Sequence, residues 1–350
     1  MAGNGLSVSK PRQTMELPSA RRAFANRMVK WFEKEGRDYP WRRTQDPYKV
    51  LVSEVMLQQT QISTVIDRGY YTRFLKSFPT VCDLAHAEDE ELLKAWEGLG
   101  YYRRARMLRE TAIAVMDRYQ GKFPEDLNAL LELPGIGRYT AGALRAFAFR
   151  RPSVLVDGNV SRVLARLFAF KQEVDRGPGI KQIWTWAEDL ADKQRPMAYH
   201  SALMELGQRI CRPKKTHCES CPVAAFCRCR KPEELPHKKV KTKVTEIQEH
   251  AIWQKNAKGS LLLHRESGNR RTGLWKLPLR SIEELKSLPV VAKHTYGITR
   301  YRVRLSVHAA NKLKAQEGDE WVEIERIKDL PMAAPFRKVT ERLLDEQSDS

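Results

Sequence analysis

Four of the six cysteines in this 350-residue chain fall in one short segment, at Cys211, Cys218, Cys221 and Cys227, with six, two and five residues between them and Pro222 after the third. A segment that tight cannot form two separate strands, so four thiols this close must share a metal, and the surrounding chain has to fold so as to close that loop. A Cys-x-x-Cys pair with two further cysteines suits a tetrahedral zinc ion, and an iron-sulfur cluster takes the same four thiolates. Spacing alone leaves both open. A disulfide framework is disfavoured, because the crowding fits a reducing compartment better than a secreted scaffold. Cys82 and Cys229 are surplus and read as ordinary thiols.

The chain is long enough for about two domains, and its 42% apolar content supplies real cores. Its 62 Lys and Arg against 43 Asp and Glu give a formal charge of +19. That imbalance favours a polyanionic partner through counterion release, nucleic acid first. The rival is a membrane surface, but there is no apolar run of about 18 residues. No signal-like stretch occupies Met1 to Leu17 either, so neither spanning nor secretion is expected, and the chain reads as soluble and intracellular.

Residues 1–18 are polar and aperiodic and read as a disordered leader. Helical spacing begins at Ala20, with Phe24, Met28, Val29, Trp31 and Phe32 before Gly36. Asp46 can cap a helix that opens at Pro47 and runs through Gln59. Further helices are expected at about 61–77, 80–86, 88–96, 101–120, 125–132 and 160–168, with helical patterning again over 180–210. The region 19–230 therefore reads as all-α, with the cysteine loop at 211–227. Residues 231–245 are basic and carry two prolines, as a solvated linker does. Beyond them the period becomes two: Tyr301, Val303, Leu305 and Val307 alternate with polar residues. Short strands are expected at 252–254, 260–264, 275–277 and 321–324, with a closing helix at about 336–346, making 246–346 a smaller α+β domain.

Three features carry chemistry. Leu133-Pro134-Gly135-Ile136-Gly137 leads into a new helical pattern. Glycines there allow a tight turn whose free N–H groups can hold a phosphate, although a plain interhelical turn needs no more. On the helix from Pro47, Glu54 interrupts an apolar side; it is either a rim charge or a desolvated carboxyl in the general-acid range. Asp157 follows Val154-Leu155-Val156 and precedes Asn159, a good cap for a helix starting at Val160. Alone it reads as a loop or capping carboxylate. Paired with Glu54 it supplies what cleavage of a glycosidic bond needs, an acid for the leaving group and a carboxylate for the oxocarbenium-like sugar.

Ser53-Glu54-Val55-Met56-Leu57-Gln58-Gln59-Thr60-Gln61, Trp96-Glu97-Gly98-Leu99-Gly100-Tyr101-Tyr102, the Leu133–Gly137 hairpin, Val156-Asp157-Gly158-Asn159-Val160 and the four cysteines occur in that order. Over about residues 20–230 the chain resembles the MutY-type adenine DNA glycosylases of the helix-hairpin-helix superfamily. The resemblance implies a 4Fe-4S cluster on Cys211, Cys218, Cys221 and Cys227. It also implies removal of adenine mispaired with 8-oxoguanine or guanine from double-stranded DNA, with the base flipped out of the stack. Glu54 then matches the acid, Asp157 the sugar-side carboxylate, and Tyr139 and Asn159 the residues assisting around it. Gln59 and Tyr101 match the lesion side, Trp41 and Arg42 the adenine side, Gln58 a further DNA contact, and Gly135, Ile136 and Gly137 the phosphate grip.

The sister endonuclease III family needs a lysine directly after the Gly-Arg of the hairpin to form a Schiff base; this chain has Tyr139 there, so a monofunctional enzyme that leaves an abasic site is implied. The C-terminal domain resembles the family's Nudix-like lesion-reading domain through Gly273-Leu274-Trp275-Lys276-Leu277-Pro278, without a glutamate-rich hydrolase box after it. Two departures stand out. The family's aromatic-Ser-His element falls on Ile298-Thr299-Arg300, and Ser201 takes a position where an amide or acid is usual. They keep open a related glycosylase with altered mispair preference; a non-catalytic iron-sulfur DNA-binding protein is a further alternative. A monomer in the cytoplasm, at the nucleoid if bacterial, is expected, with other repair proteins as possible partners.

Overall fold

The computed structural model describes residues 17–239, 244–268 and 271–348. Helix α1 (Leu17–Glu35) begins three residues before Ala20; the rest of the expected leader lies outside the described residues. A 3-10 turn at Pro40–Arg42 follows. Asp46 then starts α2 (Pro47–Leu57), its Oδ1 accepting the Tyr48 N–H at 2.9 Å. The single helix expected over 61–77 is two, α3 (Ile62–Asp67) and α4 (Tyr70–Ser77), because Gly69 at φ +63° breaks the run. Helix α5 (Val81–Ala85) opens in a Thr80/Asp83 capping box. It is followed by α6 (Asp89–Ala95), α7 (Arg103–Tyr119), α8 (Leu127–Leu131), α9 (Arg138–Ala143), α10 (Gly158–Leu167), α11 (Gly177–Leu190) and α12 (Pro196–Glu205). Helices α9 and α12 each run on into one π turn, at Leu144–Ala148 and Leu206–Ile210.

The remaining elements are β1 (Thr245–Trp253), β2 (Leu261–Arg265), β3 (Trp275–Lys276), α13 (Ile282–Leu285), β4 (Val290–Ile298), β5 (Tyr301–Ala309), β6 (Asp319–Val322), α14 (Ile324–Ile327) and α15 (Ala334–Ser348). They form two three-stranded sheets. In one, β5 lies between β1, parallel to it, and β4, antiparallel; in the other, β2 lies between β3 and β6, both antiparallel. Val303, Leu305 and Val307 are buried as their alternation predicts. Strand β4 was not expected: only Ala292 of its nine residues is buried, so it carries no apolar alternation. The strand expected at 321–324 stops at Val322, and Ile324 begins α14. The chain is thus a helical region followed by a smaller region with sheets and short helices.

Contacts divide the chain into two compact units. The first holds the described residues of Met1–Leu51, Pro124–Glu132 and Ile136–Val240. Its core is built by α1, α10, α11 and α12 through Phe24, Met28, Leu164, Ile183 and Leu203, with Phe226 of the cysteine loop packed among them. The expected linker is pinned here rather than free. The Val174 N–H donates to His237 O at 3.0 Å, the Lys239 N–H donates to Asp175 Oδ1 at 3.0 Å, and Leu235 is buried. Residues 240–243 lie outside the described residues. The second unit holds the described residues of Val52–Phe123, Leu133–Gly135 and Lys241–Ser350, so α3–α7 share it with both sheets. Among the described residues no helix is long and apolar enough to cross a membrane.

Candidate active site

In the first unit, Asp157 rather than Asn159 is the cap of α10. Its Oδ1 accepts the Val160 N–H at 2.6 Å, and its Oδ2 accepts Asn159 Nδ2 at 2.9 Å. Both oxygens are held by donors of its own first turn, so the carboxylate is fixed in direction and half-buried. Asn159 is fixed in turn: its Oδ1 accepts Arg162 Nη2 at 2.9 Å. Arg162 also donates to Gly207 O at 2.7 Å and Cys211 O at 2.9 Å, which links the Asp157 turn to the first cysteine. Tyr139, on α9, packs on Ala143, Ala146 and Leu155 just ahead of that turn.

One helical turn further, Arg166 is fully buried. It donates to Cys211 O (3.3 Å), Cys211 Sγ (3.3 Å), Arg212 O (2.7 Å), Pro213 O (3.1 Å) and Leu235 O (2.9 Å). The cysteines are all free thiols, and Cys211, Cys221 and Cys227 pack on the same core. Burial pushes the Cys221 thiol up to about 12, with Cys211, Cys227 and Cys218 adding to it. Cys227 is pushed up to about 11, again chiefly by burial and further by Cys229, Cys211 and Cys218. Among the described residues no three His, Cys, Asp or Glu side chains stand as a ready-made metal site. The donor chemistry nevertheless fits a thiolate-held group: four neighbouring thiols in one loop, with a guanidinium aimed at Cys211 Sγ.

Trp41 is buried and stacks on Tyr39 with centroids 5.3 Å apart. Arg42 lies over the Phe32 and Tyr39 rings and is ion-paired with Glu205, which is wholly buried. Glu205 also accepts the Arg37 N–H and Arg209 Nη1, both at 2.9 Å, so the 37–42 loop is fastened to α12. Ser201, one turn before Glu205, is buried with its hydroxyl 3.8 Å from Met197 Sδ.

In the second unit, Glu54 is 5% exposed on α2, so the carboxyl is in the interior rather than on a rim. Gln58 and Gln59 are exposed where α2 ends, and Gln59 has φ +59°. Tyr101 is 52% exposed at φ +47°. Two non-glycine residues in the left-handed region need support from around them. Arg104 gives it to both. Its Nη1 donates to Val55 O (2.9 Å), Met56 O (3.0 Å) and Gln58 O (2.5 Å), and its Nη2 to Leu99 O (3.0 Å) and Gly100 O (3.2 Å). Burial lowers its pKa to about 10, which still leaves it charged at neutral pH. Arg104→Met keeps the apolar stem but orphans these carbonyls, so a loss of about 2–4 kcal/mol is expected, with hydrogen exchange accelerating at 55–60 and 99–101. Unchanged exchange there would refute the role.

The hairpin is braced from α7: Thr111 Oγ1 donates to Pro134 O at 2.6 Å, and a Cβ on Gly135, at φ +78°, would meet Met107 Cβ at 3.2 Å. Ile136 is buried; Gly137 caps α9 with open space before it. Thr299 and Arg300 form the two-residue turn between β4 and β5, both exposed, with Thr299 at φ +51° and Arg300 over the Tyr301 ring at 5.1 Å. Sequence reasoning missed Arg104, Arg162, Arg166 and Glu205. The signal for three of them was present: Arg162 and Arg166 recur at i, i+4 on the buried face of α10, and Glu205 ends a run of buried residues on α12.

Residues 52–188 match the profile of the HhH-GPD superfamily base excision DNA repair proteins. The solved structure of a thermostable thymine-DNA glycosylase is 30% identical, with a TM-score of 0.55 over 60% of this chain and 96% of that one. The chain belongs to the HhH-GPD superfamily. A second solved member of similar fold, a trapped endonuclease III–DNA covalent intermediate, is 25% identical with a TM-score of 0.51, covering 61% of this chain and 97% of that one. Human adenine DNA glycosylase is 43% identical over 217 residues, 59% of this chain and 39% of the human protein. The chain thus spans about two fifths of that relative's length. The HhH-GPD match includes Glu54, the hairpin and Asp157; the four cysteines lie beyond it.

Proposed function

We propose that this protein is a monofunctional DNA glycosylase that hydrolyses the N-glycosidic bond of adenine mispaired with 8-oxoguanine or guanine in duplex DNA. The observation that carries the reading is the Asp157 turn, a carboxylate with both oxygens fixed by Val160 and Asn159. A carboxylate so aimed can stabilise a sugar cation without reorganising as charge develops. Glu54, buried on α2, gives its proton to the departing adenine. Tyr139 packs beside the Asp157 turn and stands where a lyase would carry lysine. Trp41 and Arg42 face the adenine side; Gln59 and Tyr101 enter the stack near the oxidised guanine, with Gln58 as a further DNA contact. Gly135 to Gly137 receive the backbone phosphate, and the net charge of +19 supplies the general attraction to DNA.

A 4Fe-4S cluster is assigned to Cys211, Cys218, Cys221 and Cys227. When bound, it supplies a charged, thiolate-held knot that ties the loop together. The C-terminal region is assigned as a Nudix-like reader of the oxidised base, with Thr299 and Arg300 at its tip. Such an enzyme works as a monomer inside the cell, where its DNA is.

The test is single-turnover release of adenine from a duplex holding one 8-oxoguanine:adenine pair. Release by the purified chain supports the assignment; binding without release would overturn it. Because no lysine follows Arg138, borohydride is expected to trap no protein–DNA cross-link, and strand scission should need added alkali. A trapped cross-link in good yield would show a Schiff base and refute the monofunctional reading.

A further inference from the structure

Tyr101 sits on the loop between α6 and α7, and both flanks of that loop are gripped by the C-terminal end of the chain. On one side, Glu97 Oε1 accepts Arg337 Nε at 2.7 Å, Oε2 accepts Arg337 Nη2 at 3.3 Å, and Lys94 Nζ lies 2.8 Å from Oε2. Glu97 and Arg337 are 15% and 12% exposed, so this pair is not a loose surface contact. Arg337, on α15, also donates to Ile327 O at 2.8 Å and Leu330 O at 2.5 Å, which makes it the knot between α14, α15 and the loop. On the other side, the buried hydroxyl of Tyr102 donates to Met332 O at 3.3 Å. Between these anchors Gly98, Gly100 and Tyr101 all have positive φ, at +92°, +68° and +47°, and Trp96 Nε1 donates to Gly100 O at 3.1 Å. A loop left to itself would not keep an exposed tyrosine in that backbone region.

We infer that Glu97 and Arg337 are positioning residues: α15 holds the 96–102 loop through them, so the C-terminal region sets how Tyr101 meets the mispair. The inference rests on the DNA-side role proposed above for Tyr101. Lys94 alone can neutralise Glu97, so what Arg337 adds is direction, two parallel donors in a fixed plane.

The experiment uses the full chain and the variants Arg337→Gln, Arg337→Lys, Tyr101→Ala and Arg337→Gln/Tyr101→Ala. Arg337→Gln leaves Glu97 its Lys94 partner, which protects the fold. It is expected to weaken binding to an 8-oxoguanine:adenine duplex about tenfold while changing the maximal single-turnover rate by less than about threefold. Arg337→Lys should recover part of the loss. In the Tyr101→Ala background the same change should cost less than about twofold, because the effect runs through that ring. Full additivity of the two substitutions would overturn the inference. Hydrogen exchange in the absence of DNA gives a readout independent of activity. It should rise about tenfold at 96–102 in Arg337→Gln and little elsewhere. No rise, or a uniform rise over the chain, overturns the clasp. If the wild type releases no adenine, the glycosylase reading fails, and the clasp is then judged on exchange alone.

Discussion

Asp157→Asn and Glu54→Gln are each expected to lose on the order of 10²–10⁴ in single-turnover adenine release, with the fold retained. Asparagine caps a helix about as well as aspartate, so the amide oxygen of the Asp157→Asn side chain would still accept the Val160 N–H and α10 should lose less than about 1 kcal/mol. The other half of the new amide presents N–H groups toward Asn159 Nδ2, itself a donor in the native turn. Negative charge and its aim are lost together. Glutamine matches the shape of the buried Glu54 but has no proton to give. If the two carboxyls serve one transition state, the double variant falls no further than the worse single, well short of the product of the two losses. Thermal unfolding of all three variants alongside the release rates is the check. Asp157→Asn retaining more than about a tenth of the wild-type rate would remove it from the chemistry.

How much of this could be read from sequence depended on whether a residue's role is local. Asp46 and Pro47 announce α2 because a cap and a preset φ act within one turn, and the structure starts the helix there. The β5 alternation was legible because half of the strand is buried; its partner β4 was not, since residues such as Lys293, His294 and Tyr296 leave no period to read. The cap of α10 stays open between Asp157 and Asn159 in the sequence, because aspartate and asparagine cap equally well; only the three-dimensional turn tells that Asp157 accepts the N–H group. Gly69 divided a helix that its neighbours' apolar spacing had joined. The partners of the arginines were least legible. A Lys or Arg count reads as charge for a polyanion, yet Arg104, Arg162 and Arg166 spend theirs inward on backbone carbonyls distant in sequence. A pairing between residues 49 or 45 positions apart has no sequence period to betray it.

Arg166→Met should be the most damaging change to stability in the first unit. The side chain is 2% exposed, and its partners are neutral carbonyls and one sulfur rather than a carboxylate. That distinction decides the sign. Replacing both members of a buried ion pair by apolar groups can be neutral, because no charge or polar group is left behind. Here methionine fills the space of the stem while the buried Leu235 O and the part-buried Arg212 O and Pro213 O lose their donor, Cys211 O keeping that of Arg162. At about 1–3 kcal/mol for each unsatisfied group, and with some of them finding water, a net loss of about 3–5 kcal/mol is expected. Arg166→Lys should recover little, since one ammonium cannot reach a sulfur and four carbonyls spread around a plane. The damage should be local before it is global. Hydrogen exchange should quicken first at 211, 212 and 235, and because Cys211 then keeps only its Arg162 contact, the iron and acid-labile sulfide of the proposed cluster should fall with it. Denaturant unfolding with iron analysis on the same samples separates the outcomes. Lost stability with full iron content would mean that Arg166 supports the core but not the cysteine loop. Unchanged exchange at 211 and 212 would mean that its five bonds do not hold that loop at all.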